Sequence, residues 1–247
     1  MIDALYARYS RKKEKPLDPK YRPSDAIAGR RHLKPSAKRL VVIFPGWHTH
    51  SFPVSILAGR LARRGWSVLV YDFHDQVIMP DDDAVRDSFK FIRDKIALEL
   101  SQLKSKHGYE RVHLVGISLG NVPLALVTDL YKDFQSATLV VAGDDLAIDL
   151  WHGTRTSYLD PIFQKMHVGV RKLDDEWHLL APANHAAHFR HKPVKFIMST
   201  RDSFILSKYQ QRMLDSLQEI EAVVNVKKRR TGHLITIIRY CIFDRPL

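Results

Sequence analysis

A serine framed by two glycines, Gly116-Ile117-Ser118-Leu119-Gly120, is the stretch of this chain best suited to nucleophilic chemistry. A serine hydroxyl attacks poorly at neutral pH. It needs a base to take its proton and a carboxylate to orient that base. Both residue types follow in the chain: Asp202 in Ser199-Thr200-Arg201-Asp202-Ser203, and His233 in Thr231-Gly232-His233. Asp144 and Asp145 are alternative carboxylates. The competing readings are a helix N-cap for Asp202 and an exposed loop histidine for His233.

The elements around these residues decide whether they can meet. Val112, Leu114, Val115 and Ile117 form a short, β-branched apolar run, which suits a strand buried on both faces. After the serine, Leu124, Leu126, Val127, Leu130 and Tyr131 have mostly helical spacing, and Pro123 sits early, where its missing N–H costs little. A strand, a tight turn and a helix in succession are the context in which Gly-x-Ser-x-Gly exposes a nucleophile, with glycines where side chains would not fit.

Other strands are expected at Leu40–Phe44, clearly buried, and at Ser67–Phe73, Ser136–Ala142, Val194–Ser199 and Ala222–Lys227. Helices are expected at Phe52–Arg64 with Gly65 as its C-cap signal, at Ala84–Lys106 led by Asp81 to Asp83, at Phe204–Ile220 and at Leu234–Phe243. This alternation predicts an α/β fold: a doubly wound, mostly parallel sheet with right-handed crossovers. Asp202 and His233 then follow the last two strands, on the rim that carries Ser118.

The fifty or so residues from Asp144 to Pro193 are too many for one crossover helix. They are expected to form an inserted cap over the carboxyl edge of the strands, where such sheets bind ligands. Residues 1–39 are basic and proline-punctuated, with no strong strand before Leu40. They are expected to wrap the edge of a main domain spanning 40–247, with a short amphipathic helix at Ile2–Tyr9.

With 247 residues, 45% of them hydrophobic, the chain can bury one large core. No apolar run is long enough to span a membrane, and the first residues lack the apolar core of a secretory signal. The single Cys241 excludes an internal disulfide, and a cytoplasmic setting is expected. The formal net charge is +12, concentrated in twelve Lys/Arg between Arg8 and Arg39 and in Lys227-Lys228-Arg229-Arg230. Such clusters would suit a nucleic acid or anionic surface, but no aromatics are interleaved for stacking and no nucleic-acid motif is recognised.

Thirteen histidines raise the question of a metal. His185, His188 and His191 recur three apart, and His48 and His50 follow Pro45-Gly46-Trp47. No His-Glu-x-x-His motif is present and no carboxylates are spaced with these histidines, so no metal is expected. They read as surface groups, with His48 lining the pocket and Trp47, Trp151 and Trp177 either walling it or packing in a core. Asp72 and Asp75 read as structural.

From about Leu40 to the C-terminus the chain resembles the α/β-hydrolase superfamily. The resemblance rests on GISLG, on Asp202 after the penultimate strand, on Thr231-Gly232-His233, on Pro45-Gly46-Trp47 after the first clear strand, and on the order serine, acid, histidine. It implies a Ser118 nucleophile, His233 as general base and acid, Asp202 as its orienter, and an oxyanion hole from the backbone N–H groups of Leu119 and Trp47. Two features depart from it: Pro45-Gly46-Trp47-His48 replaces the common His-Gly-x-Gly loop, and the leading antiparallel strands are missing or very short. The reaction implied is hydrolysis of a small-molecule carboxylic ester through an acyl-enzyme, with no metal or organic cofactor. Thioesterase, peptidase, lipase and acyltransferase chemistry fit the same residues, as does a non-catalytic binding protein that retains the scaffold.

Overall fold

The computed structural model describes residues 21–46, 52–74, 77–78, 82–153 and 169–244. Their strands are β1 (Ile27–His32), β2 (Arg39–Phe44), β3 (Ser67–Phe73), β4 (Arg111–Ile117), β5 (Ser136–Val140), β6 (Pro193–Ser199) and β7 (Val223–Arg229). The helices among them are α1 (Phe52–Arg63), α2 (Asp82–His107), α3 (Asn121–Leu130), α4 (Leu146–His152), α5 (Val170–Trp177), α6 (Ser207–Glu219) and α7 (His233–Phe243). Short 3₁₀ segments include Ser118–Gly120, His178–Leu180 and Pro182–Phe189.

The strands form one seven-stranded sheet in the order β1-β3-β2-β4-β5-β6-β7. All neighbours are parallel except β1, which runs antiparallel to β3. The doubly wound, mostly parallel sheet expected from the sequence is therefore the observed fold. β4, which leads to Ser118, lies at the centre and is covered on both faces. That is why its residues read as a continuous apolar run rather than an alternation.

Two cores flank the sheet. On one face α1 and α7 pack Val54, Leu57, Leu61, Ile237 and Tyr240 against Val41, Ile43, Val68 and Val115. On the other, α2, α3, α5 and α6 contribute Phe89, Ile92, Leu124, Val127, Leu173, Trp177 and Leu217 to a larger cluster. Truncating one fully buried leucine such as Leu57 to alanine would cost about 2–5 kcal/mol. His113 on β4 lies within the sheet: its ring nitrogens meet the Ser136 and Thr138 hydroxyls at 2.6 and 3.0 Å. Burial, with Lys195 nearby, lowers its pKa to about 3, so it is a neutral core residue.

One expectation is corrected. Residues 27–32 form a six-residue antiparallel strand, although no strong strand was expected before Leu40 and such leading strands were expected to be missing or very short. Only Ile27 of the six is buried, so the run carries no apolar alternation. Backbone pairing with β3 and flanking ion pairs define it instead: Arg30 holds Asp72 at 2.5 Å and Arg31 holds Glu99 at 2.6 Å. The amphipathic helix expected at Ile2–Tyr9 lies outside the described residues.

Between Asp144 and Pro193 the described residues are mostly helical and contain no strand. Leu173, Trp177, Leu180, Ala186 and Phe189 belong to the main core cluster, while residues 154–168 lie outside the described ones. At the far side of the sheet, β7 is an edge strand whose residues from Val223 to Lys228 are mostly exposed.

Candidate active site

The turn at the end of β4 is built by steric exclusion. Ser118 has φ +53°, in the left-handed region that L-residues other than glycine, asparagine and aspartate seldom adopt. A Cβ on Gly120 would collide with the carbonyl oxygens of Phe44 and Pro45, and one on Gly116 with the side chain and Cα of Asn121. Both glycines are therefore required by close approach of the turn to β2 and to α3. Asn121, almost fully buried, holds the bend from below: its Nδ2 donates to the Ser118 carbonyl at 2.8 Å and to the Val140 carbonyl at 3.1 Å.

Asp202 and His233 arrive from the ends of β6 and β7. His233 Nδ1 and Asp202 Oδ2 are 2.7 Å apart, and His233 Nε2 and Ser118 Oγ are 2.9 Å apart. A carboxylate only accepts, so Nδ1 carries the ring proton and the Nε2 lone pair is aimed at the serine O–H. Asp202 and His233 are only 7% and 6% exposed, so water competes little for these bonds.

The two oxygens of Asp202 divide their work. Oδ1 accepts the backbone N–H groups of Phe204 and Ile205 at 2.8 and 3.0 Å, which fixes the carboxylate in a turn before α6. Oδ2 is left for the imidazole and also accepts from Gln210 Nε2 at 3.2 Å. Gln210 is fully buried and braces the same loop through the Ser199 amide (2.9 Å) and the Ile205 carbonyl (2.7 Å). Sequence reasoning missed Gln210, because nothing in a helical glutamine's neighbours shows where it points.

The family model described as Serine aminopeptidase, S33 matches residues 35–214, a span that contains Ser118 and Asp202 and stops before His233. The chain belongs to this family of α/β-hydrolases. No curated protein matches it by sequence. Among solved structures, an esterase of Pyrococcus furiosus is 16% identical, with 88% of this chain and 80% of that one covered at a TM-score of 0.61. An acylaminoacyl peptidase of Pyrococcus horikoshii is 13% identical and covers 89% of this chain but 40% of its own, at 0.65. A cold-adapted esterase from an Arctic intertidal metagenomic library is 15% identical, covering 83% and 79%, at 0.58. Likeness at this identity shows the fold and leaves the substrate open.

The remaining expected site residues of this α/β-hydrolase fall in different places. Leu119 follows Ser118 directly and is buried. Trp47, His48, His50 and Asp75 lie outside the described residues. Trp151 on α4 is half-buried and packs against the main core, and Trp177 is a core residue, 1% exposed.

The alternative acids are engaged elsewhere. Asp144 Oδ2 meets Arg212 Nε at 2.5 Å, and Asp145 Oδ1 caps α4 by accepting the Ile148 amide at 2.9 Å. Burial pushes Asp145 up to about 6 against that hydrogen bond. Asp149 is buried and its Oδ1 has no hydrogen-bond partner among the described residues. Burial, reinforced by Asp144, Asp145 and Asp202, pushes it well above the usual carboxylate range.

A second cluster of histidines and a carboxylate lies away from this site. Asp129, in the last turn of α3, has its Oδ1 2.7 Å from His185 Nδ1 and 2.8 Å from His188 Nε2. Lys132 Nζ is 2.9 Å from His188 Nδ1, and the Leu179 carbonyl is 2.9 Å from His185 Nε2. The sequence had grouped His191 with these two, but it is exposed and outside the cluster. The carboxylate it lacked stands 56 residues upstream of His185.

The basic run Lys227 to Arg230 is not a continuous charged face. Asp244 pairs with Lys227 at 2.6 Å and with Arg229 at 2.5 Å, and Arg229 is buried. Among the described residues no helix is long and apolar enough to cross a membrane.

Proposed function

We propose that this α/β-hydrolase cleaves a small carboxylic ester through an acyl-enzyme, with Ser118 as nucleophile, His233 as general base and acid, and Asp202 as the residue that orients the ring. The observation that carries this reading is the continuous hydrogen-bonded chain from Asp202 through His233 to a serine held at positive φ.

In the first step the Ser118 oxygen bonds to the substrate carbonyl carbon as its proton passes to His233 Nε2. Negative charge moves onto the carbonyl oxygen, which is taken up by the backbone N–H of Leu119, with Trp47 as the expected second donor. Preorganised donors of this kind lower such barriers by several kcal/mol. His233 then returns the proton to the leaving alcohol as the carbon–oxygen bond breaks. Water, deprotonated by the same ring, releases the acid and restores Ser118. Asp202 stabilises the ring in its charged form and stays ionised throughout. None of these steps calls on a cofactor, and the expected setting is cytoplasmic.

The same residues can open an amide, and the family description together with the acylaminoacyl peptidase neighbour gives peptide cleavage second place. Labelling by a fluorophosphonate probe tests the shared mechanism. The wild-type protein is expected to label and Ser118→Ala to stay unlabelled; equal labelling of both removes Ser118 from the reaction. A panel of nitrophenyl esters of increasing acyl length beside aminoacyl and acylaminoacyl anilides separates the two substrate classes. Turnover of the anilides alone would reject the ester reading.

A further inference from the structure

We propose that Asp129, His185 and His188 form a binding site for a divalent transition-metal ion of the zinc class, separate from the serine site. Their ligand atoms all lie within 4.8 Å of one another. Two helical segments bring them together. Pro182–Phe189 is a 3₁₀ segment, and in that helix residues three apart lie one above the other, so His185 and His188 share a face. Asp129 is presented to that face from the last turn of α3.

The hydrogen bonds of His185 point to a cation. Its Nε2 lies 2.9 Å from the Leu179 carbonyl, which can only accept, so Nε2 bears the hydrogen. The neutral ring then presents the Nδ1 lone pair to a carboxylate oxygen 2.7 Å away, an arrangement that repels unless a positive centre joins the two. A second ring proton would do this, and so would a metal ion. The metal reading also gives the Leu179 bond a role: a ligating imidazole commonly donates its far N–H to a carbonyl, which fixes tautomer and ring direction. Two imidazoles and a carboxylate are a donor set that zinc takes, with a fourth tetrahedral position left for water.

The Lys132 ammonium is the internal competitor. It stands 2.9 Å from His188 Nδ1 and 3.3 Å from Nε2, beside the same carboxylate. Lys132 is exposed and can swing into solvent, after which His188 ligates through Nε2. The site would clip the end of α3 to the segment before β6. It stands roughly 12 Å along the helix axis from the start of α3, so it takes no part in ester chemistry.

The test uses the full chain, stripped with a chelator and dialysed, then titrated with Zn²⁺ by calorimetry and with Co²⁺ while the visible spectrum is recorded. One ion per chain is expected, with tetrahedral Co²⁺ bands and a higher melting temperature on zinc addition. His188→Gln at a half-exposed position and Asp129→Asn should weaken binding by at least about tenfold. Lys132→Met should tighten it, and His191→Gln and Ser118→Ala should leave it unchanged. Folding of each variant is checked by circular dichroism. An absence of binding by the wild-type chain would mean that a proton joins His185 to Asp129, and the proposal falls. Binding unaltered in His188→Gln would assign it to other histidines and equally overturn the site. Because Ser118→Ala retains the metal, failure here leaves the hydrolase reading intact, and the reverse holds too.

Discussion

Two histidine–aspartate pairs in this protein share the same 2.7 Å separation, yet they are set up for different chemistry. The Asp202–His233 pair stands on the carboxyl rim of the sheet, beside the turn from which α3 departs. The pair formed by His185 with Asp129 stands at the other end of that helix. At His233 the far ring nitrogen meets a hydroxyl, a group with a proton to give. At His185 the far nitrogen meets a backbone carbonyl, which has none. The carboxylates differ as well. Asp202 spends one oxygen on two backbone amides and offers the other to a single ring, whereas one oxygen of Asp129 is shared by two rings. A histidine–carboxylate contact therefore says little by itself, and the neighbour of the second nitrogen decides its use.

The sharpest way to break this contrast is at the hydroxyl. Ser118→Ala should lower kcat for a nitrophenyl ester by about 10⁵-fold or more, measured spectrophotometrically under burst-free conditions. Next comes the carboxylate exchange. Asp202→Asn should reduce kcat by about 10²- to 10⁴-fold because the ring loses its orienting acceptor, while Asp129→Asn should stay within about twofold of wild type in the same assay. Equal losses in the two variants would erase the distinction.

Acid should act in the same sense. A protonated His233 cannot take the serine proton, so kcat/KM should decline as the solution is acidified, and a flat profile from pH 5 to 8 would deny His233 its role.

The smallest expected effect concerns Asp149, a buried carboxylic acid whose Oδ1 has no hydrogen-bond partner among the described residues. Its folded-state pKa is raised, so the fold holds the proton more tightly than the unfolded chain does. Its contribution to stability is thus greatest at low pH and declines as pH rises from the ordinary carboxylate range toward the raised value. Asp149→Asn removes that decline and should be more stable than wild type at neutral pH, read from urea unfolding at several pH values.

The sequence made the candidate site on the sheet rim readable for a local reason. Val112 to Ile117, Ser199 and Asp202, and Gly232 with His233 each announce themselves within a few residues, because a buried strand is apolar and a tight turn needs glycine. Five of the seven strands were legible on these grounds, and β7, though mostly exposed, from its β-branched Val223, Val224 and Val226. β1 was not, since five of its six residues face solvent and backbone pairing carries it. Asp129 was hidden because it acts on residues brought near by tertiary packing across 56 positions, and Gln210 because a glutamine on a helix gives no sign of which side it points to. The Asp144–Pro193 interval carried too little periodicity for its helices to be placed, although Leu173 and Trp177 prove to be core.

The outermost strand on the β7 side leaves one border of the sheet unpaired among the described residues. A bare row of amides and carbonyls invites a neighbouring molecule to continue the sheet. Here Val223 and Val226 leave apolar surface along that border, but Lys227 and Lys228 stand next to them. Lys227 is drawn onto Asp244 at 2.6 Å, which leaves Lys228 as the exposed cation that a pairing strand would meet on that border.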